Sequence, residues 1–273
     1  MREVEVRLPV GIEQDGTFYR DVVIAEMNGY DEENLTSKKV RNNGSKAQTI
    51  LLQRCVQEIK GLVKRKGSSN ELLPAQLFKK MMSFDRDFLF FEIRKLSTED
   101  IEPSRIEYDC QECGERNEHE AMIDDLPVYE WPEEEPLSIE VEFLKPLKID
   151  GQEGTSGRWF FLNGKAQEIL AGVPSEKTAS KTIAMCLREV GGNPVSLIEE
   201  DARRLSSSER NYIFEQVINN SPGLDLNHTM TCEYCGAETT QILDISRFFD
   251  TAAKRKKNVS PQPKRTLRKL RKG

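Results

Sequence analysis

Cys110-Gln111-Glu112-Cys113-Gly114 and Cys232-Glu233-Tyr234-Cys235-Gly236 are the two stretches on which a reading of this chain turns. In each, two residues separate the cysteines and a glycine follows. Such a turn aims backbone N–H groups at the sulfurs and supplies two of the four ligands that tetrahedral zinc takes. A site within one knuckle needs two more ligands. His119 follows the first knuckle and His228 precedes the second, but neither has a clear fourth companion. Joining the knuckles completes the shell: one Zn2+ held by Cys110, Cys113, Cys232 and Cys235 in a split zinc ribbon. Residues 114–231 separate the inner cysteines, whereas an ordinary ribbon uses roughly 15–20. Loop-closure entropy grows only logarithmically, and structural zinc contributes about 10–16 kcal/mol in small fingers, so the long gap is a modest objection. Two other uses remain open: knuckles shared between chains or left empty, and redox chemistry. The redox use calls for C-x-x-C at the start of a helix, and here glycine and polar residues follow instead.

Outward from the knuckles, the two halves of the chain match in order. Val4-Glu5-Val6 matches Ile139-Glu140-Val141, Asp15-Gly16 matches Asp150-Gly151, and Met27-Asn28-Gly29 matches Leu162-Asn163-Gly164, all at an offset of 135. Cys55 and Cys186 follow at 131, Asp85-Arg86-Asp87-Phe88-Leu89-Phe90 and Glu209-Arg210-Asn211-Tyr212-Ile213-Phe214 at 124, and the knuckles at 122. A falling offset with conserved order is what short deletions in a second copy produce, so a tandem duplication is expected.

Each copy reads as a β-hairpin, then helices, then a knuckle hairpin. The first hairpins span Val4 to Leu8 with Phe18 to Met27, and Ile139 to Phe143 with Trp159 to Leu162, with Asp-Gly and Asn-Gly as turn signals. Ile50, Leu51, Cys55, Ile59, Leu62 and Val63 recur at helical spacing; Cys55 and its counterpart Cys186 read as small buried hydrophobes. A second helix covers Phe84 to Leu96, with Phe88, Leu89, Ile93 and Leu96 facing a core, and Arg210 to Ile218, where Ser206 and Glu209 have capping-box spacing. Strands flank each knuckle: Ile106 to Tyr108 with Ala121 to Ile123, and Leu226 to Met230 with Thr240 to Ile245. Pro127 to Pro136 holds three prolines and four glutamates and reads as an extended linker that Tyr129 and Trp131 pin to a surface. Gly151, Gly154 and Gly157 read as a flexible loop, since no phosphate-binding pattern surrounds them.

The expected fold is α+β: two related modules in tandem, pseudo-twofold, sharing the ribbon. The expected boundaries are a first module at 1–126, a linker at 127–138, a second module at 139–250 and a basic tail at 251–273.

The 273 residues carry a net charge of −6. The tail holds ten basic residues, from Lys254 to Lys272, and no acidic one; the other 250 residues hold 30 basic and 46 acidic, a net −16. Such a tail is either a solvated segment or an arm for an acidic protein surface, another copy of this chain, or nucleic acid. An acidic body repels polyanions and favours a protein partner. No apolar run approaches the roughly 18–20 residues of a membrane helix. Met1-Arg2-Glu3-Val4-Glu5-Val6 has no signal-peptide apolar segment, so synthesis in the cytoplasm with reduced cysteines is expected. Two histidines, no G-x-x-x-x-G-K-[ST], no G-x-S-x-G, no H-E-x-x-H and no paired carboxylates give no catalytic constellation; the reading is not an enzyme.

The order of a hairpin, Met27-Asn28-Gly29-Tyr30-Asp31-Glu32-Glu33, a helix with Asp85-Arg86-Asp87-Phe88-Leu89-Phe90-Phe91-Glu92, and Cys110-x-x-Cys113-Gly114 resembles the T4-type baseplate family of contractile-tailed bacteriophages. The resemblance covers most of 1–125 and, more weakly, 139–250, where Gly164-Lys165-Ala166 lacks the acidic residues. It implies a structural part of the tail baseplate, at the hub or inner wedge, or a factor in assembling it. It further implies other baseplate and tail proteins as partners and the virion as location. The alternative from another class is a zinc-ribbon regulator that binds nucleic acid through the basic tail.

Overall fold

A computed structural model describes residues 2–36, 43–65, 72–97, 104–122, 126–133 and 135–243. The basic tail lies outside them. The fold is mixed α+β with antiparallel sheets. Along the chain run β1 (Glu3–Gln14), β2 (Thr17–Ala25), α1 (Gly29–Thr36), α2 (Gly44–Cys55), β3 (Val56–Ile59), β4 (Val63–Lys64), α3 (Ala75–Lys80), α4 (Ser83–Ser97), β5 (Ser104–Asp109) and β6 (Arg116–Ala121). Then come β7 (Val128–Tyr129), β8 (Ser138–Ile149), β9 (Gln152–Phe160), α5 (Gly164–Leu170), α6 (Ser175–Cys186), β10 (Leu187–Val190), β11 (Asn193–Pro194), α7 (Glu199–Arg204), α8 (Ser207–Asn219), β12 (Gly223–Leu224), β13 (Asn227–Thr231) and β14 (Glu238–Ile242). No helix among the described residues is long and apolar enough to cross a membrane.

The chain divides into two compact units. One holds Met1–Asp100 with Pro127–Asp225; the other holds Ile101–Leu126 with the described residues from Leu226 onward. Each unit draws on both halves of the sequence.

In the larger unit, two four-stranded sheets form, ordered β1-β2-β3-β4 and β11-β10-β9-β8. Each starts from a long hairpin closed by Asp-Gly, with φ of 54° and 77° at Asp15 and Gly16, and 51° and 77° at Asp150 and Gly151. Two positive φ values are what a two-residue turn matched to strand twist requires. Each long strand carries a wide bulge: residues 8–11 lie opposite Arg20 alone, and residues 143–146 lie opposite Thr155 alone. Pro9 and Pro146 fall inside these bulges, where no ladder N–H is needed.

Asn28-Gly29 and Asn163-Gly164 are not hairpin turns; they open helices. Asn163 caps α5, its Oδ1 accepting the Ala166 N–H at 3.0 Å, and Asn28 Oδ1 accepts the Tyr30 N–H at 3.0 Å. An asparagine carbonyl satisfies a first-turn N–H that the helix leaves open. The helix through Cys55 also stops there. Val56 turns extended and β3 pairs with β2, so Ile59 and Val63 belong to strands. Cys55 and Cys186, both 1 % exposed, are core residues, and burial first of all pushes each thiol up to about 12.

Gly154 and Gly157 are not loop residues. They sit in β9, where a Cβ would lie 2.5 Å from the Gly191 backbone and 2.5 Å from the Glu189 carbonyl oxygen respectively. Close strand approach, not flexibility, selects glycine there. The Ser206–Glu209 cap is half formed: Ser206 Oγ accepts the Glu209 N–H at 3.1 Å, while Glu209 Oε1 accepts the Leu144 N–H at 2.9 Å.

One core gathers Leu8, Val22, Ile24, Leu51, Leu52, Phe78, Leu89 and Ile93. The other gathers Val141, Trp159, Ile183, Leu187, Val190, Ala202 and Ile213. Within the Pro/Glu-rich linker, β7 pairs with β12, and a turn follows in which the Glu135 N–H donates to the Pro132 carbonyl at 3.3 Å. Trp131 packs edge-on against Phe161 with ring centroids 5.1 Å apart, whereas the Tyr129 side chain is exposed.

Arg86 lies where α3 and α4 meet α2 and α5, and it is fully buried. It donates to Gln167 Oε1 at 2.7 Å, the Phe78 carbonyl at 2.9 Å, the Ser45 carbonyl at 2.9 Å and Thr49 Oγ1 at 3.0 Å. Five donors in a rigid fork suit such a hub.

Candidate metal centre

In the smaller unit, β5 pairs with β6 and β13 with β14, each pair closed by one knuckle. The two turns share one pattern. The Cys110 N–H donates to the Glu115 carbonyl at 2.9 Å and the Gly114 N–H to the Cys110 carbonyl at 2.9 Å. In the second, the Cys232 N–H donates to the Ala237 carbonyl at 2.8 Å and the Gly236 N–H to the Cys232 carbonyl at 2.9 Å. Gly114 and Gly236 hold φ of 75° and 74°. That left-handed conformation carries a steric cost for other residues, which explains the glycine after each second cysteine.

The knuckles face one another. Cys110 Sγ lies 3.7 Å from Cys235 Sγ, Cys113 Sγ lies 3.6 Å from Cys232 Sγ, and all four sulfurs fall within 4.8 Å of one another. Zinc–sulfur bonds of about 2.3 Å place sulfurs at tetrahedral corners about 3.8 Å apart, so the two crossed distances fit a shared metal ion. Cys110 and Cys232 are buried; Cys113 and Cys235 are exposed.

Electrostatics favours a cation at this point. Desolvation raises the Cys232 thiol, but N–H groups of Cys235 and Tyr234, the Asn117 amide and the Cys235 thiol outweigh it and bring it down to about 6. At Cys113 the Glu115 N–H pulls down, yet desolvation and the other three thiols push it up to about 12. Cys235 is likewise raised, its Ala237 N–H and Cys113 opposing desolvation and the Cys232 and Cys110 thiols. The Cys232 thiolate forms easily and crowding resists ionisation of Cys113 and Cys235; a dication relieves that crowding. Burial, then Cys232, Cys110 and Cys235, raise the Tyr108 hydroxyl as well.

The structure thus brings together Cys110, Cys113, Cys232 and Cys235. His119 on β6 and His228 on β13 stand outside the four-sulfur group, their ring centroids 4.9 Å apart. Asn117 was not legible as a site residue. It is buried beside Cys232, with Nδ2 3.4 Å from Cys232 Sγ and Oδ1 accepting the Glu233 N–H at 3.0 Å. Nothing in its local sequence separates it from any polar strand residue.

Residues 27–250 match the family model described as T4 bacteriophage base plate protein. The chain belongs to the T4 bacteriophage base plate protein family. The matched stretch begins after β2 and takes in α1 onward, the whole second sheet and both knuckles, so the family likeness runs across the two halves together. Among curated proteins and among solved structures, nothing matches the chain.

Proposed function

We propose that this protein is a structural component of a contractile phage tail baseplate, at the hub or inner wedge, or a factor in its assembly. It acts by zinc-stabilised protein–protein contacts and not by catalysis. The observation that carries this reading is the family match over residues 27–250. The partners are other baseplate and tail proteins, and the location is the virion, after synthesis in the host cytoplasm.

The mechanical part of the reading is that two related modules, at 1–126 and 139–250 with a linker at 127–138, arose by duplication and share one zinc through Cys110, Cys113, Cys232 and Cys235. Several features support it. The elements from β1 to β6 recur in order from β8 to β14, apart from β12. Both hairpins bulge by the same four-against-one count. Both bulges are bonded by a carboxylate from the fourth helix after the hairpin, Asp85 of α4 in one and Glu209 of α8 in the other. A duplicated unit presents two similar surfaces at fixed spacing, which suits multivalent assembly. The basic segment Lys254–Lys272 would reach an acidic partner surface or another copy; a net −16 on the rest of the chain opposes nucleic acid.

Co-sedimentation with tail particles and mass spectrometry of purified virions test the role. Presence in the finished particle, with binding indifferent to DNA, supports a resident part; association with assembling tails alone supports an assembly factor. Salt-dependent DNA binding that vanishes on deleting 251–273 overturns both in favour of a nucleic-acid-binding regulator.

A further inference from the structure

Asn117 is the second residue of β6, opposite Tyr108, and is buried. Its carboxamide is engaged at three points. Nδ2 donates to the Glu115 carbonyl at 2.9 Å and to Cys232 Sγ at 3.4 Å, and Oδ1 accepts the Glu233 N–H at 3.0 Å. The first bond stays within the first knuckle and fixes the side chain. The other two cross to the second knuckle and take hold of a sulfur and the next residue's backbone N–H. Only a side chain with a donor and an acceptor side by side can do this.

Among the described residues, nothing equivalent runs the other way. Met230 pairs with Thr239 as Tyr108 pairs with Asn117, so Thr239 holds the matching position on β14. Among the described residues, Thr239 makes no side-chain hydrogen bond to the first knuckle. The four sulfurs therefore differ: Cys232 has a side-chain donor from the opposite hairpin.

We propose that Asn117 is the positioning residue of this centre. It docks the second knuckle onto the first and presents Cys232 to the metal, so the two halves of the site are assembled from one side. The proposal rests on reading the four cysteines as a zinc site. Outer hydrogen bonds to metal ligands carry about 10–100-fold in affinity, and here one side chain orients both a ligand and its backbone.

The test uses the full chain, with zinc partitioned against a chromophoric chelator and cobalt substituted in parallel. Asn117→Ala removes all three bonds. Asn117→Asp is nearly isosteric and keeps the acceptor for Glu233, but turns an oxygen toward Cys232 and the Glu115 carbonyl. Both are expected to bind zinc about 10–100-fold more weakly, and the sulfur-to-cobalt charge-transfer band of N117D is expected to shift. Thr239→Ala is expected to stay within about twofold of wild type, well below that loss. If N117A does not fold, N117D and its cobalt band remain as readouts. Unchanged affinity with an unshifted band in N117D overturns the proposal, as does an equal loss in T239A. A wild-type chain that takes up no zinc removes the underlying reading as well. A wild-type chain that binds zinc beside indifferent Asn117 variants removes this inference alone.

Discussion

The carboxylate of Asp85 accepts the backbone N–H of Val10 at 2.8 Å from a position with no solvent exposure. Its second oxygen takes the Gly11 N–H at 2.9 Å, so one side chain satisfies two donors that the bulge leaves out of the ladder. In the other sheet Glu209 accepts one such donor, the Leu144 N–H. Satisfying the bulge has a cost at Asp85. Burial outweighs the two N–H donors and Arg20, and raises the carboxyl to about 7.

That shift sets a pH dependence. With a folded value near 7 and an unfolded one near 3.9, the native state holds the extra proton between them. The contribution of Asp85 to stability is thus complete below about pH 4 and is lost as pH rises through about 7. Asp85→Asn cannot titrate. The unfolding free energy of wild type minus that of D85N is expected to fall between pH 4 and 7 and to level off above. Urea unfolding at a series of pH values measures it; a flat difference contradicts the assignment.

Arg86 and Gly164 form one contact. A Cβ on Gly164 would lie 2.5 Å from Arg86 Nη1 and 2.5 Å from the Phe78 carbonyl oxygen. Gly164→Ala is expected to destabilise by about 1–3 kcal/mol through overpacking. Arg86→Met is expected to cost about 3 kcal/mol or more, because it strands the buried acceptors and the neighbouring Asp87. Burial already raises the Asp87 carboxyl against the help of Gln48, Gln167 and Arg86. Denaturant midpoints check both, and the double variant is expected to cost less than the sum, since the clash with Nη1 disappears with the guanidinium while that with the Phe78 carbonyl stays.

How far the fold could be read from sequence depends on the range of the interaction that fixes each element. Asp15-Gly16, Asp150-Gly151 and both knuckles are local turns whose chemistry is written in adjacent residues, and these were legible. Asn28-Gly29 was ambiguous locally, because the same dipeptide closes hairpins and caps helices, and only the helix that follows chooses. The end of α2 at Cys55 was hidden because Ile59 and Val63 continue its apolar spacing while pairing in a sheet. Asn117 was out of reach, since its partners Cys232 and Glu233 lie more than a hundred residues away.

Gly157 makes the same point in testable form. Its Cβ would meet the Glu189 carbonyl at 2.5 Å, Phe143 at 2.7 Å and Leu187 at 2.8 Å. Gly157→Ala is therefore expected to lower stability by about 1–3 kcal/mol, as overpacking does, although alanine suits an ordinary strand or loop better than glycine. Gly151 lies three residues before Gly154 with φ of 77° and open space around it. There alanine adds backbone strain of about 1 kcal/mol and no clash. Thermal unfolding of the two variants separates close packing from turn strain; equal shifts contradict the distinction.

Cys113→Ser tests whether the knuckles act as one centre. Cys113 comes from the first half of the chain, yet its sulfur lies 3.6 Å from Cys232 in the second. If each knuckle served a separate site, the substitution would spare any metal held by the other. In a shared tetrahedron a hydroxyl replaces one thiolate in four, and zinc content is expected to fall from one equivalent per chain to less than about half. Chelation of the wild type is expected to have the same outcome for the ribbon: loss of protection of residues 104–122 and 227–243 together in hydrogen exchange. The larger unit, whose cores contain none of the four cysteines, is expected to keep its protection. Metal content by mass spectrometry decides the first part. An unchanged equivalent of zinc in C113S, or exchange that opens one hairpin and not the other, removes the shared site.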